Sequence, residues 1–210
     1  MNVRTSVRTG AVALRAMLVL TLLLGVGYTL ALTGIGQLVL PWQANGSQVD
    51  AAGERTGGWP GGEEPVGSAL IGQLPAEDDL SSFFPRPSAA GDGYDPSSSS
   101  GSNLGPTNPE LVEAIAARRA EIAVREGVSE DAVPADAVTT SGSGLDPDIS
   151  LPCALLQVPR VAEARGIAAD DVRALVESRV QNRDLGFLGE PRVNVLELNT
   201  ALDAQDREGR

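Results

Sequence analysis

The sequence predicts a single N-terminal transmembrane helix followed by one α+β extracytoplasmic domain, and three observations predict it. Residues 16–40, AMLVLTLLLGVGYTLALTGIGQLVL, carry no charge. As a helix rising about 1.5 Å per residue this run reaches roughly 37 Å, against a bilayer core about 30 Å thick. Charge is split across it: residues 1–49 hold three arginines and no acid, while residues 50–210 hold thirteen arginines against all twenty-eight acids, a net −15. Positive charge is retained on the cytoplasmic side of a first membrane helix, so the N-terminus is expected inside and the acidic bulk outside. Beyond the span, apolar residues at helical spacing alternate with short strand-like runs and Gly/Pro/Ser-rich turns, the pattern of one α+β domain.

Residues 1–15 read as a short basic cytoplasmic stub. A cleaved signal peptide competes with the retained anchor, because Thr29-Leu30-Ala31 loosely fits a cleavage site. A signal core is about 7–15 residues, however, and the present run is longer. Hydroxyls inside the run, on Thr21 and Tyr28, are compatible with a helix, since a hydroxyl can bond a carbonyl one turn back. Gly25 and Gly27 permit close approach of another helix, although their spacing is not a GxxxG face. Pro41 is expected to stop the helix and Trp42 to sit among the headgroups, opening a juxtamembrane segment and loop over 41–65. Within it, residues 51–65 (AAGERTGGWPGGEEP) read as a flexible, exposed loop.

The domain is expected over 66–203, with a tail at 204–210. Val66 to Gln73 (VGSALIGQ) fits a short strand bounded by turn residues. Phe83-Phe84-Pro85-Arg86-Pro87 cannot be helical and is either fixed by packing or loose. Residues 91–109 (GDGYDPSSSSGSNLGPTNP) have a linker's composition, yet Gly and Ser also build shaped loops. They end in a helix start: Asn108 as N-cap, Pro109 at the first helical position and Glu110 at the positive end of the dipole. Leu111, Ala114, Ile115 and Ile122 then share a face until Gly127. A short extended piece at Val138 to Thr140 leads into a second Gly/Ser/Asp loop, which ends with Ser150 as a helix cap. The next helix carries Ala154, Leu155, Val158, Val161 and Ala162 and stops at Gly166, with Pro159 either kinking or splitting it. Asp170 and Asp171 open a third helix with Val172, Leu175, Val176 and Val180 on its apolar side. Arg192 to Leu198 (RVNVLEL) reads as a partly buried strand, followed by a short helical tail around Thr200 to Ala204.

Composition excludes several chemistries. All sixteen basic residues are arginine, with no lysine and no histidine. A phosphate loop would lack its lysine, a Schiff base its amine, and a general base or metal site its imidazole. The acidic balance argues against nucleic acid, whose phosphates need neutralising cations. The one cysteine, Cys153, permits no internal disulfide. Asp146 and Asp148 share a loop, but a Ca²⁺ site needs more ligands at defined spacing; a turn at Asp146-Pro147 explains them more simply. No metal ligands and no catalytic residues are assigned, and a free-standing secreted enzyme has the least support.

Seven strings in one order behind one span carry a family resemblance: PWQANGS at 41–47, GSALIGQ at 67–73, RPS at 86–88, SGSNLGPTNPEL at 100–111, SGLDPDIS at 143–150, QVPRVAEARG at 157–166 and GEPRVNVLELNTALD at 189–203. Together they resemble the KdpC family, the C subunit of Kdp-type potassium-transporting ATPases. Departures occur at Asp95, often Asn in the family, at Ser100, often Gly, and at Asp148, often His; Leu151-Pro152 also shifts the helix-starting proline by one. A role assigned to a histidine at 148 could not operate here.

The resemblance implies a non-catalytic subunit of a membrane complex that imports K⁺ with ATP, beside a channel-like potassium-binding subunit and a P-type ATPase subunit, with membrane lipid as its further partner. Two roles stand against each other. In the first, the subunit stabilises or assembles the complex and covers the outer ion entrance. In the second, implied by the family's description as a catalytic chaperone, it raises ATP affinity of the ATPase subunit by binding nucleotide; Ser100, Gly101, Ser102, Asn103 and Gln157 are then the candidate ATP contacts. An external domain would not meet cytoplasmic ATP, and its −15 charge would repel a polyanion.

Overall fold

The structure, a computed structural model, describes residues 3–56 and 64–208. It divides into two compact units, residues 1–46 and residues 47–210.

In the first unit, α1 (Val3–Leu20) continues through a π-wound stretch, Thr21–Tyr28, into α2 (Thr29–Val39). Ser6–Val39 is long and apolar enough to cross a membrane. The helix therefore extends into the stretch expected to be a stub. Back-bonding inside the span is made by Thr29, whose Oγ1 donates to the Gly25 carbonyl, and by Thr33, which donates to Thr29, each at 2.9 Å. Leu40 leaves the helical region (φ −134°, ψ 54°) and Pro41 opens the single turn α3 (Pro41–Ala44). Gln37 and Asn45 then exchange side-chain amide hydrogen bonds at 3.2 and 3.0 Å, and Asn45 Nδ2 also donates to the Pro41 carbonyl. Asn45 thus clasps the turn back onto the end of the spanning helix.

The second unit begins with β1 (Gln48–Val49), antiparallel to β2 (Gly67–Ser68). The strand expected over 66–73 keeps only these two residues. Ser68 turns the chain by accepting from Leu70 N on its hydroxyl and from Ile71 N on its carbonyl. Residues 51–56, read as loose, form a turn in which Asp50 Oδ1 accepts from Ala52 N and Glu54 N. Of the rest of that reading, Glu64 and Pro65 are exposed and outside any element, and 57–63 lie outside the described residues.

α4 (Pro109–Glu126) starts and stops as the residues predict: Asn108 Oδ1 accepts from Glu110 N, and Gly127 caps it at φ 66°. Val138 departs from expectation, closing the helical turn α5 (Ala135–Val138) after Pro134; only from Thr139 is the chain extended. β3 (Asp148–Ser150) follows, and the Ser150 hydroxyl caps α6 (Leu151–Arg165) by accepting from Cys153 N. Pro159 does not split α6, which ends at Gly166 (φ 67°). α7 (Ala169–Ser178) leads to β4 (Val180–Gln181), and β5 (Arg192–Asn194) lies between β3 and β4, antiparallel to both.

The closing strand is shorter than expected. β5 ends at Asn194, and α8 (Val195–Glu208) takes Val195, Leu198 and the rest. Asn194 Oδ1 accepts from Glu197 N, so N-V-L-E is a helix cap with an acid at the third helical position. The core gathers Phe83 with Ile122, Val138, Ile149, Val158, Val161, Val172, Val176, Val193, Leu198 and Leu202 from α4, α5, β3, α6, α7, β5 and α8, which packs the helices and the three-stranded sheet around one centre.

Candidate functional site

The Gly/Ser/Asp-rich strings converge. Ser88 Oγ donates to the Gly144 carbonyl at 2.6 Å and accepts from Ala90 N and Tyr94 N. Ser141 N donates to the Pro87 carbonyl, and Ser99 Oγ to the Ser143 carbonyl. Arg86 Nη1 meets Asp146 Oδ2 at 2.9 Å. Tyr94 Oη donates to the Arg86 carbonyl at 2.7 Å, and burial pushes its phenol pKa well above the ordinary value. Its ring lies so close to Gly72 that a Cβ there would stand 2.3 Å from Cε1. Residues 67–73, 86–94, 99–101 and 141–146 are therefore one interlocked surface, and the linker alternative for 91–109 gives way to a shaped loop.

The five candidate nucleotide contacts divide. Ser100, Ser102 and Asn103 are exposed and Gly101 half-buried; Ser100 Oγ and Asn103 Nδ2 both donate to the Gly101 carbonyl. Gln157 is 2% exposed. Its Oε1 accepts from Phe84 N and from Arg160 Nη2, and its Nε2 donates to the Phe84 carbonyl. That amide is engaged in fixing the Phe83–Pro87 segment, a task it shares with Asn199, which brackets Phe83 in the same way. The structure thus places the 100–103 loop on the surface and Gln157 in the interior.

Behind Phe84 lies a buried ion pair. The Glu126 side chain is wholly buried and meets Arg160 Nε at 3.0 Å and Arg125 Nε at 2.8 Å. Arg160 also donates to the Leu80 and Ser82 carbonyls. Burial pushes the Arg160 pKa down and Glu126 opposes the shift. Arg125 stacks 4.3 Å from the Phe84 ring centroid. On the outer side of Phe84 an open cleft of about 800 Å³ is bordered by Arg86, Arg118 and Arg125, with Glu77, Asp92 and Glu121 also on its walls. Arg118 is held by the Val138 carbonyl and Thr140 Oγ1. The sequence alone does not single out Arg118, Arg125 or Glu126. The available signal was Arg118, Ile122 and Arg125 at i, i+4 and i+7 on one helix face, with Glu126 four residues beyond Ile122.

Asp148 and Asp146 perform structural tasks. Asp146 Oδ1 accepts from Asp148 N in the expected turn, and Asp148 pairs with Arg192 at 3.1 Å. Burial, then the neighbouring Asp146, raise the Asp148 pKa above 3.8 against the pull of Arg192; Glu197 adds to the rise. A carboxyl whose folded pKa is raised favours folding only while protonated. Its contribution is present below pH 3.8 and is lost as pH rises through the folded value. Asp148→Asn is therefore expected to melt at a higher temperature than the parent chain at pH 7, with the gap closing below the carboxylate range; thermal melts across pH check this. Cys153 is buried and its thiol is pushed up to about 12, so it is inert as a nucleophile. Among the described residues no cluster of three or more His, Cys, Asp or Glu could hold a metal ion.

A helix long and apolar enough to cross a membrane, followed by an acidic α+β domain, defines a single-anchor architecture. The family model for KdpC, "K+-transporting ATPase, c chain", matches residues 11–204. The chain is 54% identical over 198 residues to the potassium-transporting ATPase KdpC subunit of Caulobacter vibrioides (strain NA1000 / CB15N), covering 92% of this chain and 91% of the relative. The corresponding subunit of Mycobacterium tuberculosis (strain ATCC 25618 / H37Rv) is 50% identical over 192 residues, covering 91% and 95%. That of Beijerinckia indica is 49% identical over 190 residues, covering 90% of each. The chain belongs to the KdpC family, subunits of the K⁺-transporting ATPase complex.

Proposed function

We propose that this chain stabilises the assembled transporter with its single span and covers the outer ion entrance with its acidic domain. The observation that carries the reading is the charge asymmetry across the span: three arginines and no acid before residue 50, all twenty-eight acids after it. A domain of net −15 beside an entrance raises the local K⁺ concentration, an effect screened over about 8 Å at physiological salt. The channel-like potassium-binding subunit and the P-type ATPase subunit are the partners, and co-purification of the three from one membrane tests the assembly role.

The electrostatic role has its own test. Glu77 and Asp78 are exposed, whereas Asp79 is occupied by Ser81 and Ser82, whose hydroxyls hold its carboxyl below the usual range. Neutralising Glu77 and Asp78 together, and leaving Asp79 intact, is expected to weaken apparent K⁺ affinity about twofold at low salt and not at high salt. An unchanged affinity at low salt would count against the role.

The nucleotide-binding chaperone remains the second reading, favoured by one observation: Arg86, Arg118 and Arg125 border a single cleft beside an aromatic ring. It requires the domain to face ATP. Against it stand the engaged amide of Gln157 and the three acids on the same cleft walls.

A further inference from the structure

Between β4 and β5 the chain makes a tight hairpin whose tip is apolar and exposed: Leu185 is 84%, Phe187 70% and Leu188 48% exposed. The tip is built rather than frayed. Asp184 and Leu188 exchange backbone hydrogen bonds at 2.9 Å each way, and Gly186 N and Phe187 N donate to the Arg183 and Asp184 carbonyls. Leu185 (φ 53°) and Gly186 (φ 82°) both take the left-handed region, which an L-residue such as leucine occupies only at a cost. At its base Arg183 pairs with Glu190, and Arg192 lies 3.7 Å from Asp184, so in a domain of net −15 this hairpin is locally neutral.

We infer that the Leu185–Leu188 tip is a lipid-contacting foot that inserts into the interfacial region of the membrane holding the chain's own anchor. Two arguments select lipid over a protein socket. The exposed apolar area is roughly 400 Å², taking side chains of about 150–250 Å² each. That is half of the roughly 800 Å² per partner that a stable protein interface needs, yet it is ample for a chain already tethered, which has no translational entropy left to lose. A phenyl ring flanked by leucines at the tip of a locally neutral hairpin also matches the chemistry of that interface.

The test uses the full-length chain with Cys153→Ala in phosphatidylcholine nanodiscs without other subunits. A nitroxide is placed at Phe187→Cys, or at Val124→Cys on α4 as a water-exposed control. The foot predicts that the label at 187 collides with oxygen several-fold more often than with a water-soluble nickel chelate, and that the label at 124 does the reverse. A water-like label at 187 in lipid alone overturns the inference. Shielding that arises only when the other transporter subunits are added also overturns it, and assigns the tip to a protein socket. The inference rests on the tether alone. The readout is independent of which leaflet the domain faces and of whether it covers an ion entrance, so either proposal can fail without the other.

Discussion

Arg160→Leu is expected to destabilise the domain by about 3–5 kcal/mol, because it leaves the wholly buried Glu126 carboxylate with Arg125 as its remaining ionic partner. Arg160 joins three elements. It pairs with Glu126 at the end of α4, bonds the Gln157 amide in its own helix, and holds the Leu80 and Ser82 carbonyls. Its loss therefore also orphans two acceptors in the segment that leads into Phe83 and Phe84. At roughly 2–4 °C per kcal/mol for a chain of this size, the melting temperature should fall by about 10 °C. The double variant Arg160→Leu/Glu126→Leu should recover part of that loss, since no carboxylate is then buried short of partners, while Arg125 loses its carboxylate and the Leu80 and Ser82 carbonyls stay without their donor. Melts of the full chain in detergent measure both. A double variant as unstable as the single one would show that the backbone contacts of Arg160, not its charge pairing, hold the segment.

Gly144→Ala is expected to cost about 2–4 kcal/mol and to separate the two Gly/Ser loops. Gly144 has φ 69°, and a Cβ there would stand 2.5 Å from the Ser100 carbonyl oxygen and 2.8 Å from Ala90 N. Both obstacles include backbone, so neither can rotate away. Gly142, two residues earlier, has open space at its Cβ position, and Gly142→Ala should change stability by less than about 0.5 kcal/mol. Proteolytic nicking within 91–103, compared between the two variants, separates a local opening from general loss of fold. Equal resistance in both would mean that the loops do not depend on this contact.

Local signals were legible where one residue decides one bond. Asn108, Ser150, Gly127 and Gly166 cap helices as their types and spacing predict. The anchor was legible because a span depends only on length and polarity. Legibility failed where a local pattern had two meanings. Val193, Val195 and Leu198 suit a strand and also the inner face of a helix; the decision lay in Asn194, whose side chain caps α8. Val138 reads as extended beside Thr139 and Thr140, while Pro134 and the turn it starts favour α5. The loop surface was half legible: RPS, GSALIGQ and SGLDPDIS stood out as strings, but their mating depends on contacts over fifty residues apart, such as Ser88 with Gly144. Gln157 stood out within a motif, and only the three-dimensional arrangement shows its amide engaged by Phe84. The Glu126–Arg160 pair had no local mark beyond an acid on an apolar face.

The placement of the acidic domain decides between covering an ion entrance and binding nucleotide, and one measurement addresses it directly. Cysteines placed singly at Val124 and Val112, both exposed on α4, are treated with a membrane-impermeant maleimide in a Cys153→Ala background. Spheroplasts expressing the whole transporter are used, and reaction after denaturation sets the full extent. The external domain predicts modification in intact spheroplasts equal to that in lysed ones. Modification only after lysis would place the domain in the cytoplasm, contradict the charge-based orientation of the Ser6–Val39 helix, and give the nucleotide reading the access it requires.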